Sequence, residues 1–217
     1  YVSMGRTIAS ATDARKTNFQ FGCIGHPDKV APRTNTQDTT MSTYFWTPEQ
    51  RQIRESVMKL CERFDDQYWL ERDETGEFPE EFCQAMADDG WAGIAMPEEY
   101  GGAGLGITEA AVMAQVITES GCGNAGFAAM VIGIFGLNPV VVFGTDEQKQ
   151  KWLPPVIRRD DVACFAVTEP NTGLDTTRLR TYAEDKGDHY IVKGEKLWTS
   201  TALQSNKMLL IARTKRI

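Results

Sequence analysis

"CFAVTEPNTGLDTTR", Cys164 to Arg178, runs from an apolar segment into a threonine, an acid and a proline, then into a glycine, an aspartate and further hydroxyls. The apolar segment reads as a strand, and Thr168-Glu169-Pro170 as a sharp turn at its end. Pro170 removes a backbone donor and disfavours helix at Glu169. Gly173 allows a ligand to come close to the backbone. Unladdered N–H groups beside the Thr168 hydroxyl suit an electron-rich ring edge or a phosphate. A solvated turn with no ligand accounts for this window equally well, so a second feature has to decide.

That feature is "LWTS", Leu197 to Ser200, about 30 residues further on. An aromatic beside two hydroxyls can stack on a flat ring and bond its edge. "DKGD", Asp185 to Asp188, reads as a hairpin turn between two strands. The reading therefore puts Trp198 on a strand after the hairpin, in one small sheet with the Thr168 turn. "MLLIART" supplies a further strand. Alone, Trp198 would be an ordinary half-buried strand tryptophan. Glu169, inside the turn, reads as structural.

Upstream of Asp161 the texture is helical. "TPEQ", Thr47 to Gln50, is a capping box with proline at the first helical position. Ile53, Val57, Leu60, Cys61, Phe64 and Tyr68 then recur every three or four residues, giving one apolar helix face. A short helix is predicted from Pro79 to Gly90 with Phe82 and Met86 inward. Thr108 is placed to cap another, carrying Val112, Met113, Val116 and Ile117. Thr145 to Gln148 forms a second capping box, with Pro154 and Pro155 ending that helix. Helices thus occupy about 45–158 and strands begin near 162.

Two glycine motifs are set aside. "GCGNAG", Gly121 to Gly126, fits the dinucleotide pattern, but that pattern needs a strand before it and a helix is predicted there. "GGAGLG", Gly101 to Gly106, lacks the Lys-Ser/Thr of a phosphate loop and reads as a connector. Gly121 to Thr145 carries no charge, yet glycines, asparagines and a proline interrupt it well short of the roughly 20 apolar residues of a membrane span. Two buried helices beside a pocket are expected instead.

Net charge is -7 over 217 residues, which argues against nucleic acid as the main partner. Five cysteines without a CxxC pair and only two histidines point away from a disulfide framework or a metal site. Residues 1–43 are polar and aperiodic. They read as a disordered tail or as sequence upstream of a start at Met41, with a transit peptide as the alternative.

"FAVTEPNTGLDTT", "GDHYIVKGEKLWTS" and "LLIART" resemble the middle domain of acyl-CoA dehydrogenases; "PEEYGGAGLG" and "FGTDEQKQKWLPP" resemble its N-terminal helical domain. The likeness runs over about residues 45–215. It implies a multidomain α and β fold: an N-terminal helical bundle at 44–160, then the first strands of a β-barrel-like, flavin-binding middle domain at 161–217, truncated. It implies FAD as cofactor. Phe165, Val167, Thr168, Gly173 and Leu174 would lie along it, with Thr168 at the pyrimidine edge and the backbone of Gly173 and Leu174 at the pyrophosphate. Trp198, Thr199 and Ser200 would flank the ring, Ser200 near its reactive nitrogen. The apolar helices around Phe127 to Phe143 would contribute to the acyl pocket.

The resemblance also implies an acyl-CoA thioester as substrate, electron-transferring flavoprotein or a similar acceptor as partner, and a homo-oligomer. The compartment would be cytoplasmic in a bacterium and mitochondrial in a eukaryote. Family members commonly have serine where Leu174 stands, and its hydroxyl meets both cofactor and substrate. Leucine keeps only the backbone donor. Family members usually place the glutamate base in a C-terminal helical domain, so no catalytic residue is assigned here and this chain is expected to be inactive alone. An acyl-CoA oxidase, a flavin monooxygenase, or a non-catalytic protein that kept the fold remain the alternatives.

Overall fold

A computed structural model describes residues 46–215. The readings for residues 1–43 lie outside the described residues.

Seven helices precede four short strands among them. Helix α1 (Pro48–Cys61) starts at the expected capping box. Thr47 Oγ1 accepts from the Gln50 N–H at 3.2 Å, and Gln50 Oε1 accepts from the Thr47 N–H at 3.1 Å. The apolar face read as one helix to Tyr68 is in fact two. The chain turns after Cys61, with the Phe64 N–H donating to the Cys61 carbonyl, and Asp65 caps α2 (Asp66–Thr75) by accepting from the Tyr68 N–H at 2.9 Å. Phe64 and Tyr68 still meet edge to face at 4.9 Å, which is why the period continues across the break.

Helix α3 (Glu80–Asp88) buries Phe82 and Met86 completely. Phe82 packs edge to face on Phe64 and Trp69, with centroids 5.3 and 5.0 Å apart. Two 3-10 turns, Trp91–Gly93 and Glu98–Tyr100, carry the glycine-rich connector. Helix α4 (Ile107–Ile117) packs against α1 and buries Val112, Met113, Val116 and Ile117. Its cap is Gly106 rather than Thr108. Glu109 reaches back to accept from the Gly106 N–H at 3.1 Å and takes a further 3.0 Å bond from Gln50 of α1.

A π-helical turn, Thr118–Cys122, joins α4 to α5 (Gly123–Phe135), with Gly121 at φ 110°. Helix, not strand, therefore precedes "GCGNAG". The uncharged stretch continues into α6 (Asn138–Phe143). It is not wholly buried as expected: Met130, Ile134, Leu137 and Val140 are inside, but Val142 is 56% exposed and Phe143 84%. Six residues make fewer than two turns, so α6 offers only one side to the core. Among the described residues no helix is long and apolar enough to cross a membrane.

Helix α7 (Asp146–Ile157) begins at the second capping box and runs through Pro154 and Pro155 instead of stopping there. Each proline lacks an N–H, but its carbonyl still accepts; Arg158 N–H donates to Pro154 O at 3.1 Å, and Leu153 and Ile157 anchor the last turn in the core.

Strand β1 (Ala163–Ala166) pairs in parallel with β4 (Lys207–Leu210), Ala163 opposite Lys207. Strands β2 (Tyr182–Asp185) and β3 (Tyr190–Lys193) form the expected hairpin, with Gly187 at φ 94° in its turn. Ala163 joins Leu137, Val140, Leu153 and Ile157 in one apolar cluster, and Leu209 packs against it. The sheet segment is thereby seated on α6 and α7. The "LWTS" segment is not a strand. It lies in a loop between β3 and β4, where the Leu197 N–H donates to the Thr168 carbonyl instead of to a ladder.

Candidate functional site

Where β1 ends, the chain turns within four residues. Glu169 and Thr172 exchange backbone bonds of 2.9 and 3.0 Å around Pro170 and Asn171. The Thr168 carbonyl accepts from the Leu197 N–H at 2.9 Å, which draws the second loop against the first. Between these loops and α5 lies a cavity of about 350 Å³, lined by Phe127, Ala128, Val131, Phe135, Phe165 and Val167, and by Thr168, Leu197, Trp198 and Ser200. Phe135 and Phe165 meet edge to face at 6.0 Å on its wall.

The two separated sequence features therefore border one space. Among the described residues neither the Thr168 hydroxyl nor the Ser200 hydroxyl has a hydrogen-bond partner. Trp198 is 85% exposed at the mouth, with φ at 57°. A bulky residue in the left-handed region costs on the order of 1–3 kcal/mol, and such outliers cluster at ligand sites. An apolar lining with a few placed hydroxyls and one open aromatic face suits a flat, edge-polar ring. Thr199, Gly173 and Leu174 do not line the cavity. Leu174 is fully exposed, and nothing lies within 4 Å of the position a Cβ would take on Gly173. The loop that would meet the phosphates is thus outside the ring-sized space, and Leu174 touches nothing that a lost serine hydroxyl would have bonded.

Glu169 follows Thr168 out of the cavity wall, and its carboxylate accepts three hydrogen bonds. Oε2 accepts from the Arg180 N–H at 2.6 Å; Oε1 accepts from the Thr181 N–H at 2.8 Å and from Lys196 Nζ at 2.9 Å. Burial pushes its pKa up, but the donors of Thr181, Arg180 and Lys196 outweigh that and hold it at about 2. It is a structural carboxylate. Lys196, which sequence reasoning passed over, also donates to the Val167 carbonyl at 2.7 Å. The cavity lining contains no acidic residue. Among the described residues no cluster of His, Cys, Asp or Glu could hold a metal ion, and Cys61, Cys83, Cys122 and Cys164 are buried and unpaired. Burial pushes all four thiols up, Cys83 to about 12, away from nucleophilic use.

The architecture is a helical layer carrying a β segment, with a largely apolar cavity at their junction. The family described as acyl-CoA dehydrogenase, N-terminal domain, matches residues 47–160, and acyl-CoA dehydrogenase, middle domain, matches residues 164–216. The chain is 35% identical over 171 residues to a 3-(aryl)acrylate reductase of Clostridium sporogenes, covering 78% of this chain and 45% of the relative. It is 32% identical over 169 residues to the mitochondrial isovaleryl-CoA dehydrogenase of Bos taurus, covering 76% of this chain and 39% of that protein. A crystal structure of glutaryl-CoA dehydrogenase from Mycobacterium smegmatis superposes with a TM-score of 0.71 at 27% identity, over 79% of this chain and 44% of that one. The chain belongs to the acyl-CoA dehydrogenase family. It spans less than half the length of these relatives.

Proposed function

We propose that these residues form the flavin-ring half of an FAD-dependent acyl-CoA dehydrogenase, an oxidoreductase that introduces a double bond between the α and β carbons of an acyl-CoA thioester. One observation carries the reading: Thr168 of the first loop and Trp198 and Ser200 of the second line a single cavity. A bound flavin would supply the acceptor for two electrons and the β-hydrogen. Thr168 would hold the pyrimidine edge, Phe165 and Val167 would lie along the ring, and Trp198 would cover its face, with Thr199 beside it. Ser200 would place a hydroxyl near the reactive nitrogen. Phe127, Val131 and Phe135 would keep water from the acyl chain. Gly173 and Leu174 would serve the pyrophosphate and substrate through backbone groups, from a loop that stands outside the cavity here.

Removing the α-proton needs a base within hydrogen-bond reach of that carbon. Glu169 does not fit that role: its carboxylate accepts from the Arg180 N–H, the Thr181 N–H and Lys196 Nζ, and it stays ionised far below neutrality. No acid lines the cavity. On this reading the residues lining the cavity supply no base, and the chain alone is expected to form no enoyl-CoA. Electron-transferring flavoprotein or a similar acceptor, a homo-oligomeric assembly, and a cytoplasmic or mitochondrial setting according to the host belong to the same reading.

Two measurements test it. Titration of the chain with FAD should quench tryptophan fluorescence and induce visible circular dichroism in the flavin, and Thr168→Val should weaken that binding about five- to tenfold, the size of one lost hydrogen bond. Residues 41–217 should form no enoyl-CoA in the presence of an electron-accepting dye. Turnover by that segment, or a chain indifferent to FAD, would refute the reading.

A further inference from the structure

The cavity has two walls that meet in no common sheet. Thr168 follows β1, and Trp198 and Ser200 lie on an irregular loop whose backbone forms no ladder. A buried ion pair joins them. Lys196 and Glu169 side chains are only 9% and 6% exposed, and Lys196 Nζ bridges Glu169 Oε1 at 2.9 Å and the Val167 carbonyl at 2.7 Å. The carbonyls on either side of the Thr168 nitrogen and α-carbon, those of Val167 and Thr168, are thus both held from the second loop, by Lys196 and Leu197. The same carboxylate takes the Arg180 and Thr181 N–H groups, so it also fixes the entry to β2.

The approach has been made room for. A Cβ on Gly194 would fall 2.6 Å from Thr181 Cβ and 2.7 Å from Thr181 Cα, so only glycine lets residues 194–196 pass close enough for Lys196 to reach Glu169. Removing one member of a buried pair strands the other charge and is strongly destabilising.

We infer that Glu169 and Lys196 are positioning residues for the flavin ring. Their ion pair clasps the Val167–Glu169 turn to the Lys196–Ser200 loop and sets the gap across which Thr168, Trp198 and Ser200 meet the isoalloxazine. This rests on the flavin reading above for what fills the gap, though the clasp itself can be tested without flavin.

The test uses the full chain as wild type, Lys196→Met, Lys196→Arg and the charge-balanced double variant Glu169→Gln/Lys196→Met. Amide hydrogen exchange is followed peptide by peptide. In Lys196→Met, exchange at Leu197 and its neighbours should rise at least about tenfold, as expected when hydrogen bonds to a charged group are lost, while α1, α3 and α4 stay protected. Lys196→Arg should recover part of that protection. FAD affinity should fall about tenfold in Lys196→Met, with a changed visible circular dichroism of the bound flavin, a signature that a merely stabilising pair would leave alone. Should Lys196→Met fail to fold, the double variant, which leaves no stranded charge, gives the same local readout. Unchanged exchange over residues 196–201 would overturn the clasp. Faster exchange with unaltered flavin affinity and dichroism would overturn its role in the site. If wild type ignores FAD, the flavin reading fails, and exchange alone decides whether the pair sets the gap.

Discussion

The helical part of the molecule and its β part are held together by different physics. From α1 to α5 the core is apolar and continuous, with Val57, Phe82, Met86, Met113, Val116 and Ile117 all fully buried. In the β part the buried apolar residues are few and, Leu179 apart, small, among them Ala163, Cys164, Ala166 and Ala183, and polar pins do the joining. Asp161 binds Asn206 and Lys207, Glu169 binds Lys196, and Arg213 reaches the carbonyls of Leu179 and Thr177. The difference is one of specification. Packing sets the helices through many contacts, each individually small and large in sum, whereas the loops of the β part hang on a few bonds, each needed for a particular approach.

The largest expected effect falls on the first kind of region. Phe82→Ala empties the centre of the Phe64–Trp69 aromatic cluster and should cost about 3–5 kcal/mol in chemical denaturation followed by far-ultraviolet dichroism. A loss under about 1 kcal/mol would mean the core relaxes freely and the contrast is overdrawn. Gly194→Ala is its counterpart in the β part. It presses a methyl group against Thr181 backbone, and a cost of about 1–3 kcal/mol is expected, with faster amide exchange confined to residues 180–200. Spread of that effect into α3 or α4 would show the two regions to be one cooperative unit.

The third effect is read in acid. The Glu169 pKa of about 2 lies below the ordinary value of 4.5, so the stability it adds is complete above about pH 4.5 and fades as pH falls toward 2. The difference in melting temperature between wild type and Glu169→Gln should therefore be widest near neutrality and close as the solution is acidified. A gap independent of pH would assign the change to packing.

How far the sequence could be read follows the same division. Capping boxes at Thr47 and Thr145 and the inward faces of α3 and α4 were legible, because helix signals are local and periodic. The break before Asp65 was not, since Phe64 and Tyr68 keep the period across it. Pro154 and Pro155 misled because a missing donor near a helix end is tolerated when the core holds the turn. Thr168, Trp198 and Ser200 could be placed in one site by type and order, but the loop that carries Trp198 could not be drawn. A left-handed tryptophan has no signature in its neighbours. Lys196 went unnoticed for a related reason: one lysine in a mixed passage looks solvated until the fold brings Glu169 to it.

Parallel pairing of β1 with β4 has a consequence for how the molecule is made. During translation β1 leaves the ribosome with no neighbour, and it gains one only after the polypeptide has been extended to about Leu210. Until then both loops are tethered at one end, and the cleft they enclose does not exist. Closing so long an excursion is slow compared with forming the helices. A nascent protein would thus wait with a finished helical platform and an open strand edge, the cavity incomplete until nearly all of this stretch had been synthesised.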